Sequence, residues 1–393
     1  MLHAPPPRRR LARLLGALTL ALGAALAASG CAAAEASVAV DAPCADASTP
    51  LAELDLADDP RTATGPSTAC LASRAITPVG GDSAPELPVT VTDAEGRAVE
   101  VTDVSRILPV DISGTIAATV FGLGLGENVV GRDSSTSFEG TDDLPVVTRS
   151  GHTLNAEAIL ELAPTVMLTD TTIGPKEVRQ QLRDAGIAVV VVSGERRIDT
   201  TSDLVDEIAA ALGVPGRGDL LAERLRADIE AAIAEAGEVA PSAASDRPRM
   251  LFLYVRGSAN VYYIFGRDSG ADSLIGAVGG VDVASEIGWE GMKPMSAEAL
   301  VAAQPDVLVM MTDGLASVGG VDGLVERIPA LAQTPAGANR RVVDMADAEV
   351  LSFGPRTAEV IRALARAVYA PESSPAPHAS AAAGASRAAI PAP

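Results

Sequence analysis

From residue 87 onward, short β-branched apolar runs alternate with longer amphipathic stretches. RILPVDI (106–112), TVMLTD (165–170) and IAVVVVS (187–193) have the length and composition of strands in a buried parallel sheet. SGTIAATVFGLG, AEAILELA and KEVRQQLRDAG read as helices, the first stopped by glycine. The alternation predicts an α/β body.

A repeat within this pattern predicts the architecture. NAEAILELAPTVMLTD (155–170) is echoed by SAEALVAAQPDVLVMMTD (296–313), with Glu157 matching Glu298 and Pro164 matching Pro305. Each copy has a capping Asn or Ser, then Ala-Glu-Ala, then a proline that stops the helix before a strand. Two Rossmann-like lobes are expected, at 87–215 and 241–370. Between them, 216–240 is dense in strong helix formers, with Leu220, Leu221 and Leu225 as an apolar stripe. A single long helix joining two lobes leaves a cleft between them, the usual place for a small ligand.

The flanks read differently. Arg8, Arg9 and Arg10 precede the apolar stretch LARLLGALTLALGAALAAS, which ends at Ser29-Gly30-Cys31. Residues 1–30 therefore read as a signal peptide, compatible with Sec or twin-arginine export. SGC resembles a bacterial lipobox, which makes Cys31 the lipid-bearing first residue, although Ala28 stands where that pattern prefers Leu. Residues 31–86 and 371–393, rich in Ala, Pro, Ser and Thr, are expected to be a disordered tether and tail. Export permits a disulfide, and we expect one between Cys44 and Cys70.

A formal net charge of −21 argues against a nucleic-acid partner. The three histidines include His3 in the leader and His378 in the tail, so His152 is the only imidazole in the body. It stands in TRSGHTLNAE, just before a helix. Five of the ten aromatic residues fall in MLFLYVRGSANVYYIFG (250–266), which reads as a β-hairpin. Alternation along a strand puts Tyr254 and Arg256 on one face. A guanidinium beside the Tyr254 hydroxyl favours the phenolate, a hard anionic ligand for ferric iron. Imidazole is a common metal ligand and can bind haem iron axially. The plainer readings are a structural or exposed His152 and a rim pair at Tyr254 and Arg256. The Gly-x-Gly-x-Gly of FGLGLGENVVG follows a helix, the reverse of a dinucleotide loop, and reads as a turn.

No Gly-x-Ser-x-Gly elbow accompanies His152. The cluster of ligands that a zinc or manganese carrier needs is missing. No spacing singles out a pair of catalytic carboxylates. An enzyme is therefore not expected.

The SGC motif, the echoed α/β units and the linking helix resemble the substrate-binding lipoproteins of ABC importers for siderophores, cobalamin and haem. The resemblance spans residues 87 to about 370. Within that family, SGHTLNAE and Tyr254-Val255-Arg256 are similar to the haemin-binding HmuT type. The resemblance implies that His152 and Tyr254 are axial metal ligands of ferric haem b, carried as cargo, with Arg256 hydrogen-bonded to Tyr254. It implies that Glu157 and Glu298 dock on arginines of the membrane permease; a first-turn acid complementing the helix dipole is the other reading. The protein is then exported and lipid-anchored at the outer face of the cytoplasmic membrane. A ferric-siderophore or cobalamin binder on the same scaffold is the alternative. GWEGMKPM (288–295) occupies the place in the second lobe that the His152 loop has in the first. Trp289 and Met292 there can cover a haem face or pack in the core. Arg149, Arg196, Arg267 and Lys293 are undifferentiated candidates for the haem propionates.

Overall fold

The computed structural model describes residue 1 and residues 47–81, 84–149 and 151–375. The signal peptide, Cys31 and Cys44 lie outside the described residues, Met1 apart. No helix among the described residues is long and apolar enough to cross a membrane. The two lobes and the segments that join them lie in one compact unit, Pro43–Pro393.

The fold is α/β, as the alternation predicts. Strand β1 (Ser67–Ala69) comes first. The hairpin of β2 (Val89–Thr92) and β3 (Ala98–Val101) follows. In the first lobe, β4 (Ile107–Val110) is succeeded by the short hairpin β5 (Thr148–Arg149) and β6 (Thr153–Leu154). Strands β7 (Val166–Thr169) and β8 (Ala188–Val191) then complete a parallel three-stranded sheet in the order β4-β7-β8. Alternate residues feed cores on its two faces. Ile107, Val166, Leu168 and Val190 face one side, and Leu108, Met167 and Val189 face the other.

The second lobe is built on β9 (Arg249–Arg256), β10 (Val261–Phe265), β11 (Val281–Asp282), β12 (Met292–Pro294), β13 (Val307–Met311) and β14 (Val342–Met345). Its sheet runs β1-β14-β13-β9-β10-β12, with β11 also on β9. The predicted hairpin is β9–β10, turning through Asn260 at φ +53°.

The repeat is a structural one. Helix Ala156–Glu161 leads into β7 and helix Ala297–Ala303 leads into β13. The residue before each proline, Ala163 and Gln304, has the same φ of +44°. The caps differ. Ser296 Oγ accepts from Ala299 N at 3.1 Å. Asn155 instead turns its amide oxygen to the Arg149 guanidinium at 2.7 and 2.9 Å.

The linking helix, Pro215–Val239, is one unbroken element. Its first half buries Leu221, Ala222 and Leu225 in the first-lobe core, and its second half buries Ile229, Ala232 and Ala236 in the second. Leu220, expected in that stripe, is 50% exposed, because a residue one step from Leu221 is rotated by about 100° around the helix.

Two expected disordered segments are ordered where they are described. Residues 47–81 strap the back of the molecule. Leu51, Ala69 and Leu71 are buried, and β1 extends the second-lobe sheet beside β14. Arg366 donates to the carbonyls of Ala47 and Thr49. The strap then crosses to the first lobe, where Val79 N donates to Gly122 O at 2.8 Å and Arg74 to Ser137 O. Few large side chains are required, because main-chain hydrogen bonds to the body hold the segment. Residues 371–375 are likewise placed, with Thr68 N donating to Pro375 O at 2.8 Å. Cys70 is disulfide-bonded.

Candidate ligand site

His152 stands at the tip of the β5–β6 hairpin, next to Gly151 at φ +84°. The ring is half-buried, and its Nδ1 is buried without a hydrogen-bond partner. Burial lowers its pKa below the usual 6.5. The charge of Arg256 lowers it further and that of Asp111 opposes. The His152 hairpin of one lobe and the end of β9 in the other are thus within electrostatic reach of each other. At neutral pH the imidazole is uncharged, so a ring nitrogen keeps a lone pair for a ligand.

The second lobe contributes an aromatic wall. Tyr254, Tyr263 and Phe265 share one face of the β9–β10 hairpin, as alternation and the register Tyr263↔Tyr254 require. The Tyr254 ring lies 5.9 Å from Phe265, stacked, and 6.4 Å from Tyr263, edge-on. Arg256 is on that face too, but it does not meet the hydroxyl as expected. Its guanidinium lies 4.5 Å over the Tyr254 ring centroid. Nη2 pairs with Asp347 and Nη1 donates to Val255 O at 2.9 Å. A partly buried carboxylate outcompetes a neutral phenol for a guanidinium. Among the described residues nothing hydrogen-bonds the Tyr254 hydroxyl.

Trp289 faces elsewhere. Its Nε1 donates to Ile264 O at 3.0 Å, and the indole packs on the Leu251, Leu253 and Val255 side of the sheet, away from Tyr254. The core reading of Trp289 is the one the packing follows. Met292 pairs with Phe265 across β10–β12, which puts it on the Tyr254 face, 56% exposed.

At the carboxyl ends of the first-lobe strands, two buried acids, Asp111 and Asp170, share one arginine, and a third, Asp133, lies beside Asp111. Arg196 Nη2 meets Asp170 at 2.7 Å and Asp111 at 3.2 Å. Asp133 accepts from Asp111 N at 3.0 Å, and burial beside Asp111 raises its carboxyl to about 7. Burial also raises Asp170. Arg196 is thus engaged, and Arg149 is held by Asn155. Arg267 and Lys293 are exposed. Glu157 and Glu298 are exposed in the first turns of their matching helices.

Sequence reasoning did not find Asp347, the acid network or Ile112, which is 44% exposed just past β4. The strand-ending pairs Val110-Asp111 and Thr169-Asp170 were a visible signal, since ligand sites of α/β sheets form at those ends. Asp347 carries no such mark. Among the described residues no cluster of three His, Cys, Asp or Glu is arranged to hold a bare metal ion.

Comparison with known proteins agrees with this architecture. A family model described as periplasmic binding protein matches residues 110–349. The crystal structure of the heme binding protein HmuT is 46% identical, with a TM-score of 0.74, over 79% of this chain and 99% of that one. HmuT variants with a histidine, a tyrosine or an arginine replaced match as well. The periplasmic heme-binding protein RhuT from Roseiflexus sp. RS-1 is 40% identical, with a TM-score of 0.59, over 67% of this chain and 98% of that one. YvrC, an ABC transporter substrate-binding lipoprotein of Bacillus subtilis, is 24% identical over 72% of this chain and 86% of its own length. With its two α/β lobes, its linking helix and these matches, the chain belongs to the periplasmic binding protein family.

Proposed function

We propose that this protein binds ferric haem b in the cleft between its lobes and delivers it to an ABC importer. The observation that carries the reading is the buried, unpartnered Nδ1 of His152 in one lobe together with an aromatic wall in the other, where Tyr254 lies beneath the Arg256 guanidinium and its hydroxyl is left unbonded among the described residues. His152 supplies a neutral imidazole to one face of the iron and Tyr254 a phenolate to the other. Met292 and Ile112, apolar and exposed, cover porphyrin surface. Binding is coordination and burial, with no covalent step, in keeping with a family of substrate-binding transport proteins.

Delivery depends on placement. Lipid on Cys31 holds the protein at the outer face of the cytoplasmic membrane, with Cys44 as the disulfide partner of Cys70. Glu157 and Glu298, one at the tip of each lobe, meet basic residues of the permease. Docking at both tips strains the cleft and weakens one axial bond.

Hemin titration of the purified protein tests the reading. A sharp Soret band is expected, altered in both His152→Ala and Tyr254→Ala. A siderophore or corrinoid binder instead gives no such band and changes Trp289 fluorescence with ferric chelates or cobalamin. That result overturns the haem assignment.

A further inference from the structure

The cations Arg149, Arg196, Arg267 and Lys293 differ in what already holds them. Arg196 is gripped by Asp111 and Asp170. Arg149 turns to Asn155, at the cap of helix Ala156–Glu161. Lys293 pairs with Ile264 across β10–β12, so it shares the Trp289 face of the sheet and points away from Tyr254.

Arg267 stands apart from these. It lies two residues past Phe265, the last residue of β10. A Cβ built on the intervening Gly266 would lie 2.1 Å from Trp289 O and 3.0 Å from Trp289 Cβ, so position 266 faces the Trp289 side. Alternation then puts Arg267 on the opposite side, in line with Tyr263, Phe265 and the exposed Met292. The main chain stays paired there, since Arg267 N donates to Trp289 O at 2.9 Å and Gly291 N donates to Arg267 O at 2.7 Å. The Arg267 side chain is exposed and makes no hydrogen bond or ion pair among the described residues. The adjacent acid, Asp268, is held by Arg197 at 3.0 Å. Glu290, bridged to Arg267 through the main chain, makes no ion pair with it. The same turn abuts the first lobe, where a Cβ on Gly270 would lie 2.2 Å from Arg196 O. An unengaged guanidinium thus ends the aromatic wall close to where the lobes meet. Tyr263 is paired with Tyr254, and Arg267 is four residues further on, about 13 Å along an extended strand. A long side chain at that distance reaches the rim, not the centre, of a flat ring held at Tyr254.

We infer that Arg267 binds a propionate carboxylate of the haem and so fixes which edge of the porphyrin faces the junction of the lobes. The inference rests on the haem reading above. A guanidinium matches a carboxylate with two parallel N–H···O bonds. An esterified rim offers no such partner, so Arg267 selects porphyrins that carry free carboxylates.

The test titrates the full chain and its Arg267→Gln, Arg149→Gln and Lys293→Gln variants with hemin and with hemin dimethyl ester, whose propionates are uncharged, in one detergent buffer. Arg267→Gln is expected to weaken hemin binding about tenfold, as the loss of one charge-assisted hydrogen bond does. The Soret maximum stays in place, because both axial ligands remain. Ester binding is expected to be equal in Arg267→Gln and wild type, and Arg149→Gln and Lys293→Gln are expected to bind hemin as wild type does. Unchanged hemin affinity in Arg267→Gln, an equal loss for the ester, or a loss in Arg149→Gln or Lys293→Gln in its place overturns the inference and leaves the haem reading standing. No Soret band from hemin in the wild-type protein overturns both.

Discussion

Arg196 and Arg197 are adjacent in the chain and hold opposite lobes. Arg196 grips Asp111 and Asp170 on the first-lobe floor. Arg197 reaches Asp268 at 3.0 Å and Asp272 at 3.2 Å in the second lobe. Their surroundings differ, and so do the expected costs. Arg196→Ala leaves two fully buried carboxylates unpaired, which costs about 3–5 kcal/mol. Arg197→Ala breaks pairs with partly exposed partners, worth about 1 kcal/mol or less. Chemical denaturation of the two variants is expected to show that order.

The Asp133 carboxyl gives stability a sign with pH. Burial first, and Asp111 second, raise it from 3.8 to about 7. The folded protein therefore binds this proton more tightly than the unfolded chain. Stability from this group is full in acid and is lost as pH rises from about 4 to about 7. Asp133→Asn removes that slope. Melting temperature against pH, wild type minus variant, is expected to fall across this window and stay level above it.

On the proposed reading, His152 sets an acid limit on hemin binding. Its pKa lies below 6.5, lowered by burial and then by Arg256. Protonation removes the lone pair that the iron uses. The midpoint of acid release, followed at the Soret band, is expected below pH 6.5. Asp111→Asn removes the charge that opposes the lowering, so the midpoint moves further down.

Leu71 tests the strap. It is 3% exposed in the second-lobe core. Leu71→Ala is expected to cost about 2–5 kcal/mol, as a core truncation does. A free tether predicts no change in thermal unfolding.

Docking is separable from binding. Glu157→Ala and Glu298→Ala are expected to keep wild-type hemin affinity, because both acids lie outside the site residues. Loss of stimulated ATPase activity in the reconstituted importer checks the docking role.

Much of the fold was legible because its signals are local. Pro164 and Pro305 mark two helix ends, and the β-branched runs at β7 and β8 mark buried strands. Tyr254 and Arg256 were placed on one face by alternation alone. What lay out of reach depends on partners distant in sequence. Asp347 takes Arg256 from 91 residues away, so the expected contact with the hydroxyl was displaced. Trp289 was assigned by symmetry between lobes, but the carbonyl of Ile264 holds it on the far side of the sheet. The strap looked structureless because its order comes from backbone bonds to the body, which composition does not record.

A single rod, Pro215–Val239, is rooted in the cores of both lobes. A body so braced does not clap shut on its guest. On the proposed reading, a stiff planar guest meets two walls whose spacing the rod holds nearly constant. Residence time is then the quantity that sequence changes tune.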